Sequence, residues 1–208
     1  MRARRLLVIT CVIFSSGLSL IGCTSNDISD KSTSQSTIKL DFLVIPEQII
    51  VHDTELIRLL DEVEDKAKTN IKAMKEKYSD LAKISEEDIR VQNEIAEEIQ
   101  KIWKSGKVIE SNKDIEGIIN QLRDVEGSFI ESFETENIIA IFYLNDDKET
   151  PFYVNVDNSY YRQIMLLQDG YIIIPKPIKT SSEMKVQTTY ISAKISDELA
   201  YELEKLTK

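Results

Sequence analysis

The feature that most constrains the fold is a long apolar stripe with helical spacing. Between residues 54 and 81 the chain has no glycine or proline, and apolar residues recur at steps of three and four. These residues are Leu56, Leu60, Val63, Ala67, Ile71, Met74, Tyr78 and Leu81. Because such steps return to one side of a helix, the spacing predicts a single helix of about seven turns with one buried face.

A second helix is predicted directly after the first. Ser85 is a favourable N-cap residue, acidic residues follow it at positions 86–88, and Gly106 is a favourable C-terminal stop. The apolar residues between these signals are Ile89, Val91, Ile95, Ala96, Ile99, Ile102 and Trp103. Two consecutive helices with a short connection predict a helical hairpin over residues 54–105.

The rest of the chain combines two shorter helices with strands. An amphipathic helix is predicted from a cap at Asn112 to Val125, and a closing helix begins near Ser196 or Asp197. Alternating patterns and turn residues predict strands at 138–144, 152–156, 160–167, 171–174 and 186–194, with shorter ones at 38–45, 49–51 and 108–109. We therefore predict an α+β fold, in which the helical hairpin and the amphipathic helices pack on one face of an antiparallel β-meander at residues 129–195.

The N-terminal segment has the layout of a secretory signal peptide. It begins with the basic sequence MRARR, continues with a 17-residue apolar stretch from Leu6 to Gly22, and then becomes polar at once. A permanent membrane helix is the less favourable alternative, because 17 residues lie at the lower limit for spanning a bilayer and no basic stop-transfer group follows. We expect residues 1–22 to be removed.

The end of this segment, Leu20-Ile21-Gly22-Cys23, resembles the lipobox of bacterial lipoproteins. The resemblance implies that a diacylglyceryl group is attached to the Cys23 thiol and that the chain is cut between Gly22 and Cys23. It further implies an extracytoplasmic, lipid-anchored protein on the cell membrane. A secretory signal peptide with a coincidental cysteine is the alternative.

The predicted processing divides the chain into three parts. Residues 1–22 are the signal peptide, residues 23–37 are the lipidated cysteine with a polar, flexible tether, and residues 38–208 are one acidic domain. Cleavage removes three arginines and no acid, which takes the formal net charge from −10 to −13. Because such a surface repels phosphates, we expect no nucleic-acid partner.

Motifs for catalysis and cofactors are absent from the sequence beyond residue 22. His52 is the only histidine, and its neighbour Asp53 is more simply explained as an N-cap. Glycine-rich phosphate loops and serine-nucleophile motifs are missing, so we expect no cofactor, no metal centre and no enzymatic activity. Two alternatives stay open. One is a weak calcium site at residues 145–149, which also fit an ordinary hairpin turn, and the other is a pair of catalytic carboxylates.

Three tyrosines are the candidate binding residues. Counting in steps of two places Tyr143, Tyr153 and Tyr161 beside polar neighbours, on one sheet face if the strands align. Tyrosine combines a large contact area with a polar tip, which suits a partner or ligand surface. Tyrosines are also common on ordinary half-exposed sheets.

We expect the protein to act as a membrane-tethered, non-enzymatic module that binds an unidentified protein partner through the helical hairpin or the tyrosine face. In composition and layout the globular part resembles small lipoproteins of uncharacterised function from low-GC Gram-positive bacteria. A small-ligand or cell-wall-fragment binding protein is the first alternative, and a carboxylate-dependent hydrolase is the second.

Overall fold

A computed structural model describes residues 37–78, 84–110, 113–145, 153–156, 159–179 and 186–208. Its α-helices are α1 (Thr54–Lys77), α2 (Glu86–Lys104), α3 (Lys113–Arg123) and α4 (Asp197–Thr207). Its strands are β1 (Thr37–Lys39), β2 (Gln48–Asp53), β3 (Lys107–Glu110), β4 (Glu126–Ile130), β5 (Ile138–Asn145), β6 (Tyr153–Val156), β7 (Ser159–Leu167), β8 (Tyr171–Lys179) and β9 (Val186–Lys194). A short 3₁₀ helix, Thr135–Asn137, precedes β5. The predicted α+β class is confirmed.

Side-chain caps begin three of these helices. An amide in the first turn of α1, α2 and α4 donates to the side chains of Asp53, Ser85 and Ser196 over 2.9, 3.1 and 3.2 Å. Each cap satisfies an amide that has no partner inside its helix, and acidic residues in the same turns favour the positive end of the helix dipole. The predicted caps of these helices are confirmed, including the structural explanation of Asp53.

The sheet is antiparallel and includes more of the chain than residues 129–195. Within the described ranges its order is β1-β4-β9-β8-β7-β5-β2-β3, and β6 pairs with the first half of β7. Strand β2 lies between β3 and β5, so segments that precede the long helices in sequence join the sheet. The sheet therefore depends on pairing between strands that are distant in sequence. In the strand order, β1 and β3 are the two edge strands.

Helices cover both faces of the sheet, which corrects the prediction that they pack on one face. Buried residues of α3 and α4 form one apolar cluster with Ala140, Phe142 and Leu144 of β5, which we call the α3–α4 core. Buried residues of α1 and α2 form a second cluster with Ile141 and Tyr143 of the same strand, which we call the α1–α2 core. Because β5 is apolar at nearly every position, both of its faces need cover.

Strand β8 extends beyond the strand predicted at 171–174. It pairs with β9 at Pro175 and Pro177, whereas its pairing with β7 is limited to Ile172 and Ile173. The two prolines are two residues apart, so their backbone nitrogens face the same edge of the strand. Since proline has no amide hydrogen, it fits the edge that lacks a partner strand.

Helices α1 and α2 run antiparallel on the sheet. Residue numbers rise along α1 as those of their partners fall along α2, in the pairs Lys66–Glu98, Asn70–Gln92 and Lys77–Asp88. The Asn70–Gln92 hydrogen bond measures 2.8 Å and the Lys77–Asp88 ion pair 2.9 Å. Charged residues line the outer side of this pair, and Leu60, Val63, Ala67, Ile99 and Trp103 face inward.

Two substitutions on α1 should separate burial from surface charge. Leu60 is buried in the α1–α2 core, so Leu60→Ala should lower the free energy of unfolding by about 3 kcal/mol. Arg58 pairs with Glu55 and Glu62 on the exposed side, where solvent screens the ion pairs, so Arg58→Ala should lower it far less than Leu60→Ala. Urea unfolding at neutral pH measures both values. Equal losses would contradict the assignment of the inner face of α1.

Candidate functional site

The tyrosines predicted as a binding surface lie mostly under α1 and α2. Tyr143 is 2% exposed and Tyr161 6% exposed, and both belong to the α1–α2 core. The side chain of Tyr153 lies outside the described part of the structure, and its backbone pairs with Arg162 on β7. The shared face of Tyr143 and Tyr161 is as expected. However, the helices cover it, so no partner reaches these two rings while α1 and α2 stay in place.

Trp103, at the end of α2, is the centre of this buried region. Its ring lies 4.9 Å from the ring of Tyr161 and 5.3 Å from that of Tyr143, both edge to face. The imidazole of His52 lies 5.7 Å from Trp103 and 4.7 Å from Tyr143. Edge-to-face pairs of this kind stabilise by about 1 kcal/mol beyond the area that they bury. Four rings from α2, β2, β5 and β7 therefore join the helical layer to the sheet.

His52 is held as a neutral side chain. It is fully buried, its Nε2 lies 2.9 Å from the carbonyl oxygen of Trp103, and its Nδ1 has no hydrogen-bond partner in the described structure. Nε2–H therefore donates to the carbonyl, and burial lowers the pKa of His52. This geometry ties β2 to the end of α2. It offers no acidic or nucleophilic partner for catalysis within the described structure.

Glu64 is the functional candidate that the sequence interpretation missed. It lies on α1 among apolar residues, is only 8% exposed, and burial raises its pKa to about 7. Lys68 opposes this shift, and Asp61 and Asp65 add to it. A signal was present in the sequence, because Glu64 lies four residues after Leu60 and three before Ala67, on the apolar stripe. Burial of most of a glutamate side chain disfavours its charged form.

The charges of Glu64 and Asp61 disfavour ionisation of the Tyr143 hydroxyl. Burial raises the pKa of Tyr143, a contact with Gln163 opposes the shift, and both carboxylates reinforce it. Burial also raises the pKa of half-buried Asp61. Nearby, the Gln48 side chain donates to the Tyr161 hydroxyl over 3.2 Å. This side of the sheet thus holds several polar side chains beside apolar ones.

Glu64 can hold a proton near neutral pH, which is a property of general acids. The carboxylate-dependent hydrolase hypothesis requires two acids in a cleft, one with a raised pKa. Asp61 and Glu64 meet the pKa condition, but no cleft brings them together in the described structure, and a general acid needs direct access to its substrate. The arrangement therefore favours a structural or regulatory role for this proton.

Comparisons with protein-family models, with curated proteins and with solved structures gave no match. The residues themselves therefore carry the functional assignment.

Several predicted features fall outside the described residues. These are Cys23, the tether as far as residue 36, and residues 146–149 of the possible calcium turn, whereas Asn145 ends β5. Among the described residues, no group of three or more histidine, cysteine, aspartate or glutamate side chains is arranged to hold a metal ion. In the same part of the chain, no helix is long and apolar enough to cross a membrane.

Two glycine substitutions test the packing around His52. A methyl group at Gly106 would lie 2.5 Å from Cδ2 of His52 and 2.7 Å from Cγ2 of Ile50. Gly106→Ala should therefore destabilise the fold by about 1 to 3 kcal/mol. Gly117, in the middle of α3, has open space around it, so Gly117→Ala should stabilise by about 0.5 to 1 kcal/mol through helix propensity.

Thermal unfolding of both variants beside the parent protein gives the comparison. If Gly106→Ala melted at the parent temperature, His52 would be free to move and the close packing at the end of α2 would be refuted.

Proposed function

We propose that this protein is a lipid-anchored, extracytoplasmic module that binds a protein partner without catalysing a reaction. The observation that carries the proposal is the order of a basic start, an apolar segment and Leu20-Ile21-Gly22-Cys23, followed by a polar tether. Two acyl chains on Cys23 would hold a soluble domain on a bilayer, because each buried methylene contributes about 0.8 kcal/mol.

The tether sets how the domain would stand at the membrane. Residues 24–37 contain one strongly apolar residue in fourteen, so they would span about 20 Å as a flexible coil. The first strand begins at Thr37, so the last residue of the predicted tether already belongs to the folded domain. A domain of net charge −13 would be repelled by anionic headgroups. It would therefore project from the membrane, with its surface open to other proteins.

The outer surface of the α1–α2 hairpin is the better candidate for the partner site. Tyr143 and Tyr161 are covered, which argues against the tyrosine face as a direct contact. The outer side of the hairpin carries exposed charges of both signs, such as Lys72 on α1 and Glu94 on α2. Such a surface suits a polar partner whose charges are arranged in the complementary order.

The anchor is tested by a matched pair of cysteine substitutions. Cys23→Ser should remove the acylated thiol and move the protein from the membrane fraction to the soluble fraction of fractionated cells. Cys11→Ser changes the other cysteine, inside the predicted signal peptide, and should leave the protein on the membrane. If Cys23→Ser stayed tightly bound after verified cleavage, the lipoprotein assignment would be lost.

The partner site is tested by crosslinking in intact cells. A photo-crosslinking residue in place of Glu94 on the outer side of α2 should give one defined product of higher mass. The same residue in place of Tyr201, which is 60% exposed on α4, serves as the control and should not give that product. Identical products from both positions, or none from Glu94, would count against a partner site on the hairpin.

A further inference from the structure

The side chain of His52 joins the sheet to the last turn of α2. Its backbone belongs to β2, where it pairs with Ile141 of β5, and its Nε2 lies 2.9 Å from the carbonyl oxygen of Trp103. Carbonyl groups in the last turn of a helix have no α-helical partner within the helix. The imidazole therefore supplies a bond that the end of α2 cannot make by itself.

The ring of His52 is enclosed by α2, by β5 and by the turn that follows α2. The rings of Trp103 and Tyr143 lie 5.7 and 4.7 Å away, and a Cβ atom at Gly106 would lie 2.5 Å from Cδ2 of His52. The residue has no exposed surface. For the imidazole to reach water, the end of α2 and the turn after it must move off the sheet.

The Nδ1 atom of His52 decides what a proton would do at this place. It is buried and has no hydrogen-bond partner among the described residues. In the neutral ring Nδ1 is an unused acceptor, because Nε2–H donates to the Trp103 carbonyl. In the protonated ring Nδ1 becomes a donor that carries part of a positive charge. A buried donor without an acceptor is unfavourable, and more so when it is charged.

The groups around His52 favour its charge, but burial opposes it more strongly. Asp53, the next residue of β2, and the Trp103 carbonyl at the negative end of α2 both raise its pKa. On β5 the neighbour is Tyr143, which stays protonated at neutral pH, and Gly106 has no side chain. Burial is the larger effect, so the pKa of His52 lies below its ordinary value.

We propose that His52 is an acid-sensitive latch between β2 and the end of α2. While the imidazole is neutral, the last turn of α2 stays on the sheet and Trp103 covers Tyr143 and Tyr161. When the imidazole gains a proton, the end of α2 leaves β2 more often and the charged ring reaches water. Release uncovers the aromatic face that the closed form buries. The latch belongs to the folded domain and requires neither the lipid anchor nor a partner.

The direction of the pH dependence follows from linkage. The pKa of His52 takes its ordinary value of 6.5 when the ring is in water, and burial lowers it in the closed form. The open form therefore binds the additional proton, so the latch is complete above pH 6.5 and weakens as the pH falls through this value. Between pH 7.5 and pH 5 the equilibrium constant for closing should fall several-fold, and at most about thirtyfold, on account of His52.

Glu64 on α1 works in the opposite direction in the same pH range. Burial raises its pKa to about 7, so the closed form gains stability from Glu64 as the pH falls. The experiment must separate the two residues. Comparison of the parent with a His52 variant at the same pH does so, because Glu64 is present in both chains.

Amide hydrogen exchange of the full chain in detergent, at pH 7.5 and pH 5, measures the opening. The probe amides are those of residues 99–106, and the amides of α3 are the internal control. His52→Gln keeps a side-chain donor for the Trp103 carbonyl and does not titrate. Protection of the probe amides in the parent, divided by that in His52→Gln at the same pH, should be several-fold lower at pH 5 than at pH 7.5. The same ratio for α3 should not change.

The parent chain alone gives a second measurement, which does not depend on the folding of a variant. His52 is the only histidine of the chain, so its imidazole signals in an isotope-labelled NMR sample are unambiguous. At pH 7.5 they should be those of a neutral ring that carries its proton on Nε2. In the closed form this state should persist below pH 6.5.

Three results would overturn the proposal. One is a set of His52 signals that titrates at the ordinary histidine pKa while the domain stays closed, since the ring would then be in water. Another is a probe ratio that is the same at both pH values. The third is an equal loss of protection in α3, which would mean that acid opens the whole domain and not the end of α2.

Discussion

The burial of β5 on both faces is the constraint on which the rest of the structure depends. Its residues Ile141 and Tyr143 need cover from one side, and Phe142 and Leu144 need it from the other. Neighbouring strands on both edges satisfy its backbone, because β2 and β7 pair along it. One apolar strand thus requires two helical layers and a partner strand from a distant part of the sequence.

The two helical layers are chemically different, and the difference follows from residues of α1, α2 and β2. The α3–α4 core has Arg162 over the ring of Phe42 at its margin, and none of the described buried polar residues lies in it. The α1–α2 core combines aromatic rings with His52, Glu64 and Gln92. Dry apolar packing is insensitive to pH, whereas a layer with buried titratable groups is not. The two faces of the sheet therefore carry helical layers of different chemistry.

Sequence patterns predicted the local structure well, because local structure depends on neighbours in the chain. Asp53, Ser85 and Ser196 act as caps as expected, and α1 follows its apolar stripe. The alternation of side chains along a strand also placed Tyr143 and Tyr161 correctly on one face of the sheet. What the patterns did not reveal was which face the helices cover, since that depends on β2 joining β5 across more than eighty residues of chain.

The burial of Glu64 is a second feature that sequence patterns did not predict. Its position on the stripe of α1 was visible, but an acid on a helix is usually assigned to solvent. Only the packing of α1 on the sheet buries most of its side chain. Similarly, the predicted strand ended at residue 174, before Pro175 and Pro177, because a proline fits a strand only where its nitrogen faces an unpaired edge. That edge exists because β7 pairs with β8 only at Ile172 and Ile173.

The place where the chain enters the fold has a mechanical consequence. Strand β1 is an edge strand joined to β4 through three facing residue pairs, and the buried residues Leu40 and Leu43 follow it directly. A pull on the chain before Thr37 would load this short ladder first and the leucine contacts next. The first strand would peel away before the nearly continuous pairing of β5 and β7 bore any tension. The domain thus begins with a short strand whose separation from β4 precedes any loss of Leu40 and Leu43 from the α3–α4 core.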